Sequence, residues 1–261
     1  MRPAEHEWSR SFGAWTNGRT VVADDRIRLL CFPHAGGGAS RFRPWIADLA
    51  PVVDVWPIQL PGREGRWGEP PPADLRALVR VLLDVLAPLF DRPVALFGHS
   101  MGGLVAFELA RVLEVCRRAV VCLIVSAVRA PHVPDPDPIT ARSSDDRVLA
   151  KVRALGGIPG EVLDHPELLP MLLPTIRADL IMCASFGSGT ERPLTCPIVA
   201  LGGADDPNVP ADHLEGWSRH TTARSVVHLY PGSHFFLFDQ ADQVHRTVTA
   251  ELLGAANRAA V

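Results

Sequence analysis

The fold of this chain is decided by the stretch Val94-Ala-Leu-Phe-Gly-His-Ser-Met-Gly-Gly103. Its first four residues are a compact apolar run typical of a buried strand, and the apolar spacing from Leu104 to Val115 predicts a helix. Between them, Gly98–Gly102 matches the pattern G-x-S-x-G. A serine on this sharp turn has a strained backbone and an exposed hydroxyl, and flanking side chains would clash, so glycine is needed on both sides. Ser100 is therefore the predicted nucleophile.

Strands and helices alternate on both sides of this turn. Further strands are predicted at Ile27–Phe32, Val52–Ile58, Val120–Val125, Ile198–Leu201 and Ser225–Tyr230. Further helices are predicted at Ser40–Leu49, Leu75–Leu86 and Gln240–Ala256. Continuous apolar strands of this kind indicate a mostly parallel sheet with helices on both faces. Together with the serine turn, they predict the α/β-hydrolase fold.

Residues 129–193 interrupt the alternation, because they contain no clear strand. The segment opens with prolines at 131, 134, 136 and 138, and helical character follows at Asp146–Leu155 and Leu168–Phe186. We interpret 129–193 as a helical lid over the carboxyl edge of the sheet. It is expected to be an insertion within a single α/β-hydrolase domain that spans residues 1–261.

The composition excludes several functional classes. The chain has 261 residues, of which 47% are hydrophobic, enough to bury a core on both faces of a sheet. A net charge of -3 provides no basic field for nucleic acid. No apolar run is long enough to cross a bilayer, and Met1–Arg10 lacks the apolar core of a signal peptide. We therefore expect a cytoplasmic protein that binds neither nucleic acid nor membranes.

The cysteines and histidines give no indication of a metal site or redox pair. The five cysteines are scattered and no two have C-x-x-C spacing, and the histidines lack the spacing of metal ligands. Reduced thiols and a protein without metal or cofactor are expected.

His234 is the predicted general base. In this fold the chain order is serine, then acid, then histidine, and each partner follows the end of a later strand. His234 comes after the strand that ends at Tyr230, in a loop that Pro231 and Gly232 can turn back toward Ser100. There it would take the serine proton and later return it to the leaving group.

The acid is expected after the strand Ile198–Leu201, where two aspartates compete. Asp206 precedes Pro207, which biases its backbone toward extended geometry, and is preferred. Asp205 is the alternative. Either carboxylate would fix the tautomer of the imidazole and stabilise the imidazolium.

The oxyanion hole is expected to consist of two backbone N–H groups. One comes from the residue after the nucleophile, which is Met101. The other comes from the glycine-rich loop after the first strand, where Ala35 is preferred and His34 and Gly36 are alternatives. This loop lacks the G-x-G-x-x-G spacing of a dinucleotide site.

Four motifs together resemble the type II thioesterases, the stand-alone editing enzymes of polyketide and nonribosomal peptide synthesis. They are Phe32-Pro-His-Ala-Gly-Gly, Gln59-Leu-Pro-Gly-Arg63 with Arg66, Gly98-His-Ser-Met-Gly-Gly103 and Gly232-Ser-His-Phe-Phe236. The resemblance extends from about residue 15 to 255, and its combination of motifs is specific to the family.

The resemblance implies a substrate and a set of roles. The substrate would be an acyl group on the phosphopantetheine arm of an acyl or peptidyl carrier protein, hydrolysed where it is stalled or wrongly primed. Ser100, Asp206 and His234 would form the triad, and Ala35 and Met101 the oxyanion hole. The family also has a helical lid, whose motif matches Leu173–Asp179, and the resemblance favours a monomer without a cofactor.

Two hypotheses concern the surroundings of the site. Part of an apolar stripe of the lid is expected to line an acyl channel; its members are Met171, Leu172, Leu173, Ile176, Leu180, Ile181, Met182 and Phe186. Arginines near the mouth and the lid are candidates for docking an acidic carrier protein. These candidates are Arg63, Arg66, Arg129 and Arg177.

Three other functions share these residues. A carboxylesterase or lipase would use the same triad on oxygen esters. An acyltransferase or cyclising release enzyme would pass the acyl-serine to an amine or alcohol. A catalytically silent binding module would need none of the three groups, so their presence argues against it.

Overall fold

The computed structural model describes residues 8–22, 24–50, 52–156, 168–187 and 192–259. The strands, in chain order, are β1 (Ile27–Phe32), β2 (Val53–Pro57), β3 (Val94–His99), β4 (Val120–Ser126), β5 (Ile198–Gly203) and β6 (Ser225–Tyr230). They form one sheet of order β2-β1-β3-β4-β5-β6, in which every neighbouring pair is parallel. The prediction of a parallel sheet is confirmed.

Helices cover both faces of this sheet. They are α1 (Phe12–Trp15), α2 (Arg43–Asp48), α3 (Leu75–Val85), α4 (Met101–Val115), α5 (Asp145–Leu155), α6 (Leu169–Ser185), α7 (Ala211–Glu215), α8 (Phe236–Asp239) and α9 (Ala241–Ala259). The apolar faces of α3 and α4 pack in one buried core, and those of α2 and α9 pack in a second core. Strands buried between two cores favour apolar residues on both faces, which explains why the central strands β3 and β4 are almost entirely apolar.

The parallel topology positions the site. All strands point the same way, so the carboxyl ends of β3, β5 and β6 meet at one edge of the sheet. Ser100 follows β3, Asp206 follows β5 and His234 follows β6.

Two helices of the predicted insert lie between β4 and β5. Helix α5 begins at the N-cap Ser144, whose hydroxyl accepts from the Arg147 N–H, and ends at Gly156 in the left-handed conformation. A small apolar cluster joins α5 to α6 through Val148, Val152 and Leu173. Residues 157–167 and 188–191 of the predicted insert lie outside the described residues, as do residues 1–7 of the N-terminal segment.

None of the helices that the structure describes combines the length and the hydrophobicity needed to cross a bilayer.

Candidate active site

The turn between β3 and α4 holds Ser100 in a strained conformation. Its φ is 52° and its ψ is -119°, a region that residues with side chains rarely adopt. A Cβ on Gly98 would lie 2.0 Å from the carbonyl oxygen of Gly102, and a Cβ on Gly102 would lie 2.1 Å from that of Phe32. The close approach of three backbone segments therefore requires glycine on both sides of the serine.

We expect the Gly98→Ala variant to lose about 3 kcal/mol of unfolding free energy or fail to fold, because the added methyl group meets backbone that cannot move aside. Gly65→Ala is the matched control, since a Cβ there meets no atom within 4 Å. Urea denaturation followed by fluorescence measures both variants. Equal midpoints for the two variants would contradict this account of the turn.

His234 connects the serine to a carboxylate. The Oγ of Ser100 lies 3.1 Å from Nε2 of His234, and Nδ1 of His234 lies 2.7 Å from Oδ2 of Asp206. Because a carboxylate accepts the Nδ1 proton, Nε2 is left free to accept the proton of the serine hydroxyl. His234 and Asp206 are both buried. The structure thus brings together the three residues predicted as the triad.

The carboxyl of Asp206 is kept ionised by its hydrogen bonds. Burial acts to raise its pKa, but the hydrogen bond from His234, the charge of that ring and the N–H groups of Asn208 and Val209 outweigh burial and leave the pKa below its ordinary value. The Asn208 N–H donates to Oδ1 at 2.9 Å. The second oxygen therefore stays directed at the imidazole.

Asp205, the alternative acid, has a different environment. It is exposed, and its Oδ2 accepts from the Gly232 N–H at 3.2 Å, while its own N–H donates to the Gly232 carbonyl at 3.0 Å. These two bonds tie the end of β5 to the loop that carries His234. Asp205 therefore hydrogen-bonds to the loop that carries His234, whereas Asp206 hydrogen-bonds to His234 itself.

Two backbone N–H groups beside Ser100 are available to a substrate oxygen. Ala35 and Met101 line the same pocket as Ser100 and His234, and no described residue accepts a hydrogen bond from either N–H. Met101 is the first residue of α4, where the helix dipole adds positive potential. The alternatives in the loop, His34 and Gly36, do not line this pocket.

Two further histidines lie close to the site, and their burial there was not apparent from the sequence. His34 and His99 are buried, and their rings lie 5.9 Å apart. The His99 ring also lies 5.4 Å from His234, and its Nδ1 is 3.0 Å from Ser126 Oγ. Burial lowers the pKa of His34 to about 3 and that of His99 well below its ordinary value, and the charge of Arg41 acts in the same direction on His34. Both rings are neutral at neutral pH.

The depressed pKa of His34 predicts acid sensitivity. An unfolded histidine binds a proton as the pH falls through 6.5, whereas folded His34 does so only near 3, so its stabilising contribution is present above 6.5 and is lost progressively below it. Lowering the pH from 7.5 to 5 should cost about 2 kcal/mol of unfolding free energy from this group. Urea titrations at the two pH values measure the loss, which His34→Gln should reduce. An unfolding free energy that does not change with pH would contradict it.

A pocket of about 480 Å³ opens from Ser100 toward the insert. Its walls include the segment from Val128 to Pro138, the end of α6 and the residue Leu155 of α5. Of the predicted apolar stripe, Leu180 and Phe186 line the pocket. Other members of the stripe do not line the pocket: Leu173 packs against α5, Met182 packs in the main core and Met171 is exposed to solvent. Three polar residues of the lining are linked, since Asp135 accepts hydrogen bonds from Arg129 at 3.4 Å and from Lys151 at 2.7 Å.

The comparison with known proteins identifies the family. The model of the family described as "Thioesterase domain" matches residues 27–252, which is most of the chain. The chain belongs to the thioesterase domain family. It is accordingly a hydrolase that acts on thioesters, and in this family the nucleophile is typically a serine.

Relatives of this thioesterase come from peptide and polyketide biosynthesis. It is 38% identical over 245 residues to the linear gramicidin dehydrogenase LgrE of Brevibacillus parabrevis, covering 91% of this chain and 92% of that one. It is 38% identical over 226 residues to the gramicidin S biosynthesis protein GrsT of Aneurinibacillus migulanus, covering 86% and 88%. The solved type II thioesterase BorB, from the borrelidin biosynthetic cluster, superimposes with a TM-score of 0.79 at 37% identity, covering 88% and 94%. The predicted α/β-hydrolase fold and the resemblance to type II thioesterases are confirmed.

The structure corrects two of the arginines expected to dock a carrier protein. Arg63 is 3% exposed, and its guanidinium donates two hydrogen bonds to Asp179 of the thioesterase. Arg66 is 5% exposed, donates to the Gln59 carbonyl at 2.9 Å and packs over the ring of Trp15. The prediction that these two side chains face a partner is wrong, because each is held inside by its own acceptors.

The other two arginines are partly exposed and already paired. Arg129 donates to Pro134 O and Asn208 O, and Arg177 pairs with Asp145.

Within the parts of the thioesterase that the structure describes, no group of three or more histidine, cysteine, aspartate or glutamate residues could hold a metal ion.

Proposed function

We propose that this thioesterase hydrolyses acyl groups from the phosphopantetheine arm of acyl or peptidyl carrier proteins, and so removes aberrant or stalled units in polyketide or nonribosomal peptide biosynthesis. One observation carries the proposal: the array of Ser100, His234 and Asp206 opens directly into a pocket of about 480 Å³. Such a pocket has room for an acyl chain beside the nucleophile. The biosynthetic origin of the relatives GrsT and BorB supports the carrier-bound substrate.

In the first half of the reaction, Ser100 Oγ attacks the carbonyl carbon of the thioester while its proton passes to His234 Nε2. Asp206 stabilises the imidazolium, and the N–H groups of Ala35 and Met101 hold the oxyanion. The C–S bond then breaks, its electron pair leaves with the sulfur of the pantetheine, and the imidazolium of His234 gives its proton to that sulfur, which leaves His234 neutral. An acyl-serine ester remains.

In the second half, water replaces the thiol. His234 takes a proton from the water as it attacks the ester carbonyl, and it returns a proton to Ser100 Oγ as the C–O bond breaks. The products are a free carboxylic acid and a carrier protein with a free thiol. Every proton is accounted for by the triad, so the proposal needs no cofactor or metal.

The proposal includes an organisation for the chain. Residues 1–261 form a single α/β-hydrolase domain, with 129–193 as a lid that covers the acyl pocket. The protein acts as a monomer in the cytoplasm, on a carrier protein and not on nucleic acid or a membrane. The packing of α5 on α6 and the contact of α6 with α4 support the lid.

Intact-mass spectrometry of a panel of acylated carrier proteins, before and after incubation with the thioesterase, tests this function. The proposal expects loss of the acyl mass from the carrier and release of a free acid. A p-nitrophenyl ester serves as comparator. Turnover of the ester with every acyl carrier intact would indicate a carboxylesterase, and an amide or lactone product would indicate acyl transfer; either result would refute the proposal.

A further inference from the structure

The loop that carries the oxyanion group is fastened to the lid helix at Gly36. The Gly36 N–H donates to Oδ2 of Asp179, in α6, at 2.7 Å. At the same residue the side chain of Ile176 fills the space of the missing side chain, since a Cβ on Gly36 would lie 2.6 Å from its Cγ1. Gly36 also has a φ of +74°, so only glycine fits this backbone without strain.

Asp179 is itself fixed by a buried arginine. It is fully buried, and Arg63 donates to its two carboxylate oxygens at 2.7 and 3.0 Å. Arg63 is anchored in turn by donating Nε–H to the Pro61 carbonyl at 3.0 Å. A buried ion pair contributes little net stability compared with apolar residues of the same volume, but it fixes geometry through directional bonds. The pair is therefore better suited to orienting the loop than to holding the fold together.

The same helix lines the acyl pocket. Leu180, which follows Asp179, faces the pocket, as do Cys183 and Ala184 one turn further along α6. Ala35, whose N–H is assigned to the oxyanion hole, precedes Gly36 in the loop. One helix thus contacts the space for the acyl chain and holds the peptide adjoining the oxyanion donor.

We propose that Asp179 is a positioning residue that couples the lid to the oxyanion hole, so that the Ala35 N–H is correctly directed only while α6 lies against the loop. This inference rests on the proposed function of Ala35 and Ser100. Asp179 does not touch the substrate; it acts through the backbone of Gly36.

Asp179→Asn is the test variant and Asp145→Asn is the matched control. Asp145 is an exposed aspartate of the same insert, paired with Arg177 and not in contact with the loop. For an acyl-pantetheine thioester, we expect Asp179→Asn to lower kcat about 100-fold, the effect of losing one oxyanion donor, with KM changed less than threefold. Asp145→Asn should keep both constants within twofold of the wild type.

Two inhibitors separate positioning from general damage. A pantetheine trifluoromethyl ketone forms a tetrahedral oxyanion with Ser100, whereas the corresponding thioether binds without one. Asp179→Asn should bind the ketone about 100-fold more weakly and the thioether normally. Equal losses for both inhibitors, or a kcat within threefold of the wild type, would overturn the proposal.

A second variant covers the case in which Asp179→Asn fails to fold because Arg63 is left buried without its partner. Arg63→Met with Asp179→Leu removes both charges and leaves an apolar pair, which buried sites accept. The double variant should fold, and its kcat should still be at least tenfold below that of the wild type. A kcat equal to the wild-type value would refute the proposed coupling of the lid to the oxyanion hole. Failure of the proposed function is distinguishable from failure of this inference, because the wild type itself would then leave the acyl thioester unhydrolysed.

Discussion

Ser100→Ala should hydrolyse acyl thioesters about 10⁴- to 10⁶-fold more slowly than the wild-type thioesterase. The variant has no atom to form the acyl intermediate, and His234 then faces a methyl group in place of the hydroxyl 3.1 Å away. Only the oxyanion donors and substrate binding remain, and these account for a small residual rate in serine hydrolases. Release of the pantetheine thiol, followed with a chromogenic disulfide, measures kcat and KM.

Ser218→Ala is the matched control for this change. Ser218 is an exposed serine whose hydroxyl donates to the Glu215 carbonyl, and it does not line the pocket that contains Ser100. Its kcat should stay within twofold of the wild type. A Ser100→Ala protein that keeps more than a tenth of the wild-type rate would exclude Ser100 as the nucleophile.

Asp206→Asn should lower kcat about 10⁴-fold, and Asp205→Asn only a few-fold. The amide of the Asp206 variant can present a donor to His234 Nδ1, which favours the wrong tautomer and leaves Nε2 protonated and unable to accept from Ser100. The hydrogen bonds of Asp205 to described residues go to the Gly232 backbone, so its replacement disturbs the loop without changing the proton path.

Because Asp205 and Asp206 are adjacent in the chain, the Asp205→Asn variant is the matched control for Asp206→Asn. Both variants should be measured at pH 7.5 with the same thioester, and their thermal unfolding midpoints compared to exclude a stability effect. A larger loss for Asp205→Asn than for Asp206→Asn would reverse the assignment of the acid.

Most of the fold follows from the sequence because a parallel sheet is buried on both faces. Most residues of the predicted strands are apolar, and each predicted strand corresponds to a strand of the structure. The first residue of α4 was harder to predict from the sequence. The helix begins at Met101, whereas the apolar spacing predicts it from Leu104, because Gly102 and Gly103 carry no side chains to show helical periodicity.

The site was predictable where chain order and strand ends decide it. Ser100, Asp206 and His234 each follow a strand, and the parallel topology brings those ends together. The environment of Arg63 was not predictable, because Asp179 is 116 residues away in the chain and only the fold makes them neighbours. An arginine in a loop of glycines and charged residues resembles a surface residue until its buried partner is known.

The environments of His34 and His99 were equally hidden from the sequence. Their neutral state results from burial against His234 and Phe235, and the strand pattern contains no information about that packing.

Peptide mass spectrometry of the enzyme quenched during turnover of an acyl carrier protein addresses the central claim directly. The account predicts the mass of the acyl group on the peptide that contains Ser100, appearing as the carrier thiol is released and disappearing as free acid accumulates. Continued hydrolysis with the acyl mass on another residue, or with no acyl-enzyme in samples of the wild type quenched within the first turnover, would contradict it.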